Sequence, residues 1–267
     1  MHPAELGELE AFRDLYAAAP DGLGARAEDL GGALCLRLDA APTSALLNRV
    51  LGLGLSEPAT VHALDRLTDL FGGGIGWGVA LAPQAEPREL PSWLERRGFT
   101  AGYAWAKFQR CVADPPEVHT ELRIDRVGAE SADDFAATFV RGYSTPGFFR
   151  DWLTRIPQRP GWHCFLAYDG DEPAGTGALF LTGEVGWLGI AATLPEHRRK
   201  GAQGAILKAR IDAAAAAGCR VVVTETGQLL EGRPAGSYRN IVRAGFEEAY
   251  VRPNYLSSPE ADTSGTA

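Results

Sequence analysis

The stretch Thr193-Leu194-Pro195-Glu196-His197-Arg198-Arg199-Lys200-Gly201-Ala202-Gln203-Gly204-Ala205 constrains the chain more than any other. It joins an apolar run to an amphipathic one through a basic turn that bears glycines. Pro195 punctuates the end of the run from Val185 to Ala192, and Ile206, Leu207, Ile211 and Ala214 then recur at helical spacing on one face. A helix is therefore expected to start near Gly201 and to run into Gly218, a residue suited to a C-terminal cap. The β-branched run from Arg220 to Thr226 reads as a buried strand, so the order is strand, turn, helix, strand.

The first amides of a helix lack intrahelical acceptors and its dipole is positive there, so an anion at Gly201 meets donors and field together. Arg198, Arg199 and Lys200 add charge, while Gly201 and Gly204 remove side chains that would hold a diphosphate off the backbone. Three cations and two glycines alone would better suit a solvated loop; the flanking strand and helix favour the anion site. No G-x-x-x-x-G-K-[ST] occurs, and no G-x-G-x-x-G opens a βαβ unit.

Length and composition narrow the classes. At 267 residues and 45% apolar, the chain has room for one large or two ordinary globular domains. Its net charge of −8 argues against a nucleic-acid face. The acidic start, Met1 to Leu6, and the lack of any apolar run of spanning length lead to the expectation of a cytoplasmic protein with no membrane partner. Cys35, Cys111, Cys164 and Cys219 are dispersed and read as small buried apolar residues, and the five histidines form no H-x-x-x-H pair, so no metal is expected. His197 is read as a loop residue beside the anion and His163 as a strand-edge residue.

The turn resembles the acyl-coenzyme A loop of the GNAT family of N-acetyltransferases: Gln or Arg, two residues, Gly, one residue, then Gly or Ala. Arg198 and Gly201 take the first places; Gln203 departs from the last, and Gly204 follows it. The resemblance extends to the strand before the loop, Trp187 to Ala192, and to the helix running into Gly-Phe, Asn240 to Phe246. It implies an α/β (α+β) fold of mixed, mostly antiparallel sheets flanked by helices, with acetyl-CoA as co-substrate and no metal. It also implies direct attack by an amine in a gap where the strands on either side of the loop helix splay apart. Cofactor contacts are then expected from Leu188, Gly189, Ile190, Ala191 and Ala192, from Arg198 through Ala205 (with Arg199, Lys200, Ala202 and Gln203 between), and from Asn240. The amides of Leu188 to Ala191 would face the thioester oxygen.

Glu225, at the end of the Val-rich strand, is the expected base; a solvated strand-end glutamate is the other reading of the same position. The family often carries an acidic tyrosine four residues before the glycine, but Ile241 stands there. Tyr238, one turn earlier, and Tyr250, on the next strand, are the substitutes, and each is equally readable as a packing residue. Tyr143, Phe148, Phe149, Trp152 and Trp162 could wall an acceptor pocket for an apolar or cationic amine, or form core. The acceptor is a small molecule or a peptide amine, and the protein is a monomer or homodimer.

An internal echo accompanies this. Arg96, Gly98, Phe99 and Tyr103 match Arg243, Gly245, Phe246 and Tyr250 at an offset of 147 residues, which points to the same fold twice. The first copy, 1–115, reads Leu55-Ser56-Glu57-Pro58 where the second, 118–256, supplies cations, so it is expected to be degenerate. Pro58 to Phe71 is read as its helix, and Gly72 to Gly78 as an αβ connection rather than a second nucleotide loop. The boundary is placed at Asp114-Pro115-Pro116-Glu117, and 257–267 reads as a disordered tail. An acyl-CoA-binding sensor without catalysis and a protein holding another phosphorylated ligand remain the alternatives.

Overall fold

The computed structural model describes residues 1–72, 74–232 and 235–257. Compactness divides the chain into two units: one holds 1–107 and, of the described residues, 226–232 and 249–257; the other holds 108–225 and 235–248.

The first unit opens with α1 (Pro3–Ala17), followed by β1 (Ala25–Leu30), β2 (Ala33–Leu38) and β3 (Arg49–Leu51), then α2 (Val61–Phe71), β4 (Gly78–Ala80), α3 (Leu90–Arg96) and β5 (Thr100–Cys111), whose last four residues fall in the second unit. The second contains β6 (Arg123–Arg126), α4 (Ala132–Tyr143), α5 (Phe148–Leu153), β7 (Trp162–Asp169), β8 (Glu172–Thr182), β9 (Val185–Thr193), α6 (Ala202–Ala216), β10 (Val221–Gly227) and α7 (Gly236–Arg243). The last strand, β11 (Glu247–Leu256), begins in the second unit and ends in the first.

A pairing pattern recurs in both units, the second adding β6 antiparallel to β7. β1, β2 and β3 run antiparallel in turn and β3 pairs parallel with β4; β7, β8 and β9 repeat this, with β9 parallel to β10. A parallel pair needs a crossover, and α2 and α6 supply it. The sequence echo falls at corresponding places, α3 into β5 and α7 into β11. The sheets of mixed, mostly antiparallel strands flanked by helices are those expected.

Several details differ from the sequence reading. α2 starts at Val61, later than Pro58, because Thr60 caps it by accepting the Ala63 N–H at 3.1 Å. The sequence boundary assigned all of 118–256 to one domain, whereas residues 249–256 of β11 fall in the first unit, where the strand runs antiparallel to β4. Cys111 is exposed, unlike the other three cysteines. Ser257 is held to the Trp77 backbone in both directions, and the rest of the expected tail lies outside the described residues. Gly73, within the expected αβ connection, also lies outside them.

α6 ends as its sequence requires. Gly218 has φ +86°, and the N–H groups of Gly218 and Cys219 bond back to Ala215 and Ala214, the two-bond cap that glycine permits at no steric cost. Its apolar face places Ala202 and Ile206 against Phe165, Ala167 and Ala174. Among the described residues no helix is long and apolar enough to cross a membrane.

Candidate active site

β9 carries the feature that organises the site. Its pairing with β8 runs regularly to Ala178↔Gly189 and resumes at Thr176↔Ala192, so Gly177 alone opposes Ile190 and Ala191. That is a β-bulge, which bends a strand and re-aims its peptide groups. Ile190 has φ +50°, a region that β-branched residues avoid and that costs on the order of 1–3 kcal/mol. On the other side the ladder with β10 reaches Trp187↔Val223 and stops. Past that pair the Leu188 carbonyl accepts the Thr224 hydroxyl at 2.8 Å. β9 thus leaves the β10 ladder after Trp187, and two residues on, at Ile190 and Ala191, it also falls out of register with β8.

Glu225 lies beside this segment. The Trp187 indole N–H donates to its two carboxylate oxygens at 3.1 and 3.3 Å. The indole is 3% exposed and lies across Gly189, where a Cβ would stand 1.8 Å from the ring. Only glycine leaves that path open. Sequence reasoning found Glu225 and missed its holder; a tryptophan two residues before a glycine on an otherwise small-residue strand was the available signal.

The turn after β9 makes a short helical step at Pro195–His197, then Arg199 at φ +67° and Gly201 at φ +88° bring the chain into α6. The first amides of α6, from Ala202 through Gly204, face outward from its positive end with Ala205 immediately behind. Arg198 and Arg199 are exposed, and no described carboxylate pairs with either. Lys200 differs: its ammonium is paired with Asp169, which also bonds His197 Nδ1 at 2.9 Å. The Lys200 and His197 bonds hold the Asp169 carboxyl below its ordinary range. His197 lies in the turn and is buried there, and together with Lys200 it ties the turn to the β7–β8 hairpin. Likewise the Thr120 hydroxyl donates to the Lys200 carbonyl at 2.7 Å, and a Cβ on Gly201 would come within 3.1 Å of Thr120.

Asn240 Nδ2 donates to Gln203 Oε1, so the residue that departs from the loop pattern is bound to α7 rather than pointing freely into the turn. Ile241, at the usual tyrosine place, is core. Tyr238 donates to Glu248 at 2.8 Å, and that bond raises its pKa. Tyr250 belongs to the first unit, where its hydroxyl donates to Glu5 at 2.7 Å and burial, with Glu5, raises its pKa. Beside it Glu8 is enclosed by Arg252, Lys107 and Arg49. Trp152 and Trp162 are core, Phe148 and Phe149 are half-buried and stacked 4.7 Å apart, and Tyr143 is exposed. A Cβ on Gly142 would fall 2.7 Å from that of Ala192, so the end of α4 presses on the bulged strand.

A bulged strand, a parallel neighbour that parts from it and a helix opening on a basic turn make up the candidate site. Residues 128–230 match the family model described as the Acetyltransferase (GNAT) family. No curated protein matches the chain in sequence. Among solved structures, a GCN5-related N-acetyltransferase from Kribbella flavida superposes with TM-score 0.66 at 19% identity, over 97% of this chain and 96% of that one. A tandem GNAT protein from the clavulanic acid biosynthesis pathway gives 0.61 at 15%, over 98% of both. A GCN5-related N-acetyltransferase from Sphaerobacter thermophilus gives 0.62 at 15%, over 96% and 88%. At these identities the likeness is one of fold. The chain therefore carries a GNAT domain over residues 128–230, and its class is that of an acyltransferase.

Proposed function

We propose that the second unit transfers an acetyl group from acetyl-CoA to the amine of a small molecule or peptide by direct attack. The observation that carries this reading is that β9 parts from β10 after Trp187 and bulges away from β8 at Ile190 and Ala191, with the Glu225 carboxylate fixed beside that opening by Trp187. Amides freed from a ladder can donate to an oxyanion without reorganising, which is the condition for stabilising a tetrahedral intermediate.

In this reading the outward amides of α6 from Ala202 to Gly204, with Arg198 and Arg199, hold the diphosphate, and Lys200 shapes the turn through Asp169. The Leu188–Ala191 amides receive the thioester oxygen. An alkylammonium is mostly protonated at neutral pH; Glu225 takes its proton, directly or through water. The amine nitrogen then bonds the carbonyl carbon, the carbon–sulfur bond breaks, and the nitrogen's surplus proton passes to water, which in turn replaces the proton that Tyr238 gives up. Tyr238, kept protonated by its bond to Glu248, is the acid we assign to the departing sulfur. The half-buried Phe148 and Phe149 and the exposed Tyr143 supply the acceptor wall, which suits an apolar or cationic amine. The cytoplasmic setting belongs to the same proposal, since the cysteines are free thiols.

The first unit is read as a degenerate copy. Its elements follow the same order, but Thr60 itself caps α2 and the exposed Glu57 precedes it. The test is thiol release from acetyl-CoA over a panel of amines. Turnover with an amine supports transfer; binding without turnover favours a sensor, and absence of binding removes the coenzyme A reading.

A further inference from the structure

Arg210, on α6, is 2% exposed. A buried cation ordinarily has a carboxylate beside it, because desolvation is costly. Here the partners are carbonyls. Nη1 donates to Ala178 O at 3.1 Å and to Gly189 O at 3.3 Å, and Nε to Ile206 O at 3.3 Å. Desolvation lowers its pKa to about 10, which leaves it charged at neutral pH. Room for the guanidinium is made by the residue opposite the bulge: a Cβ on Gly177 would lie 3.0 Å from Arg210 Cζ.

The Gly189 carbonyl and the Ile190 N–H are two ends of one planar amide, and in a trans peptide they point in opposite directions. A cation bonded to the oxygen therefore draws electron density from the nitrogen end, and hydrogen-bonded chains strengthen in this way. Since the oxygen faces Arg210, the N–H faces away from it, on the side where the ladder with β10 has ended. We propose that Arg210 is a positioning residue that fixes the bulge and, through the Gly189–Ile190 peptide, makes the Ile190 N–H a stronger donor to the thioester oxygen. This rests on the acetyl-transfer reading above. It adds a buried positive charge behind the oxyanion site, without any contact between Arg210 and substrate.

The test uses full-length protein, acetyl-CoA labelled with carbon-13 at the thioester carbonyl, and Arg210→Met and Arg210→Lys variants. In the wild type the isotope-edited infrared band of the bound carbonyl is expected at lower frequency than in solution. Arg210→Met should move it back toward the solution position and lower kcat about tenfold, part of what a lost oxyanion donor costs, with affinity for acetyl-free CoA unchanged. Arg210→Lys should restore part of both. A folded Arg210→Met protein with an unshifted band and unchanged kcat would overturn the proposal, as would a wild-type band at the solution frequency, which requires no variant to fold. Binding and turnover without the band shift would sink this inference alone; absence of acetyl-CoA binding would take the acetyl-transfer reading down with it.

Discussion

The indole N–H of Trp187 is shared between both oxygens of Glu225, at 3.1 and 3.3 Å, across a parallel strand pair that ends one residue before Thr224. The bond makes a strand-end glutamate into a fixed one. Replacing Glu225 by Gln should lower kcat about 100-fold or more, within the range for general acid–base groups, with the deficit shrinking at high pH as free amine accumulates. Thiol release measured from neutral to alkaline pH checks this; an undiminished rate would remove Glu225 as the base.

Gly189→Ala tests the path of the indole. A Cβ there would sit 1.8 Å from the Trp187 ring, so the indole must move or the strand must shift. Overpacking of this kind costs on the order of 1–3 kcal/mol, and the Glu225 bond should be lost with it. The expected result is a lower unfolding midpoint in urea together with lower kcat. A variant with unchanged stability and kcat would show that the indole is not held there.

The three cations of the turn should separate. Arg198→Gln and Arg199→Gln should each weaken acetyl-CoA binding several-fold, with the loss shrinking as salt screens exposed charge. Lys200→Gln should weaken it less, because its ammonium is already engaged by Asp169. Titrations at two ionic strengths distinguish this from equal contributions.

Glu8 tests the first unit by acid. Burial alone would raise its pKa, but Arg252, then Lys107 and Arg49, bring it well below the usual value. A carboxyl depressed in the folded state stabilises above its unfolded pKa, about 4.3, and that contribution is lost as pH falls through the folded pKa. Glu8→Gln should therefore be destabilised by about 3–5 kcal/mol at neutral pH, as expected for one partner removed from a buried cluster, and its deficit should narrow in acid. Urea midpoints at neutral pH and near pH 3 would show it; a deficit independent of pH would contradict the charge account.

Much of the second unit was readable from local signals. Pro195 and Gly218 bracket α6, and the Val221–Val223 run is a strand, because each depends on neighbours a few residues away. The bulge was not readable, since its extra residue is defined only by the partner strand and Ile190 looks like an ordinary strand residue. Tyr250 and the end of β11 were assigned to the wrong compact unit for the same reason: periodicity tells that a strand exists, not which strand it joins. Lys200 read as an anion ligand until Asp169, 31 residues away, proved to hold it. Trp187 and Arg210 act through contacts far apart in sequence, and composition gives no hint of either.

Calorimetric titration of the full chain with acetyl-CoA tests the central claim most directly. The account predicts saturable binding at one site per chain, abolished when Arg198 and Arg199 are both replaced by Glu. Absence of binding, or binding indifferent to that double replacement, would contradict it.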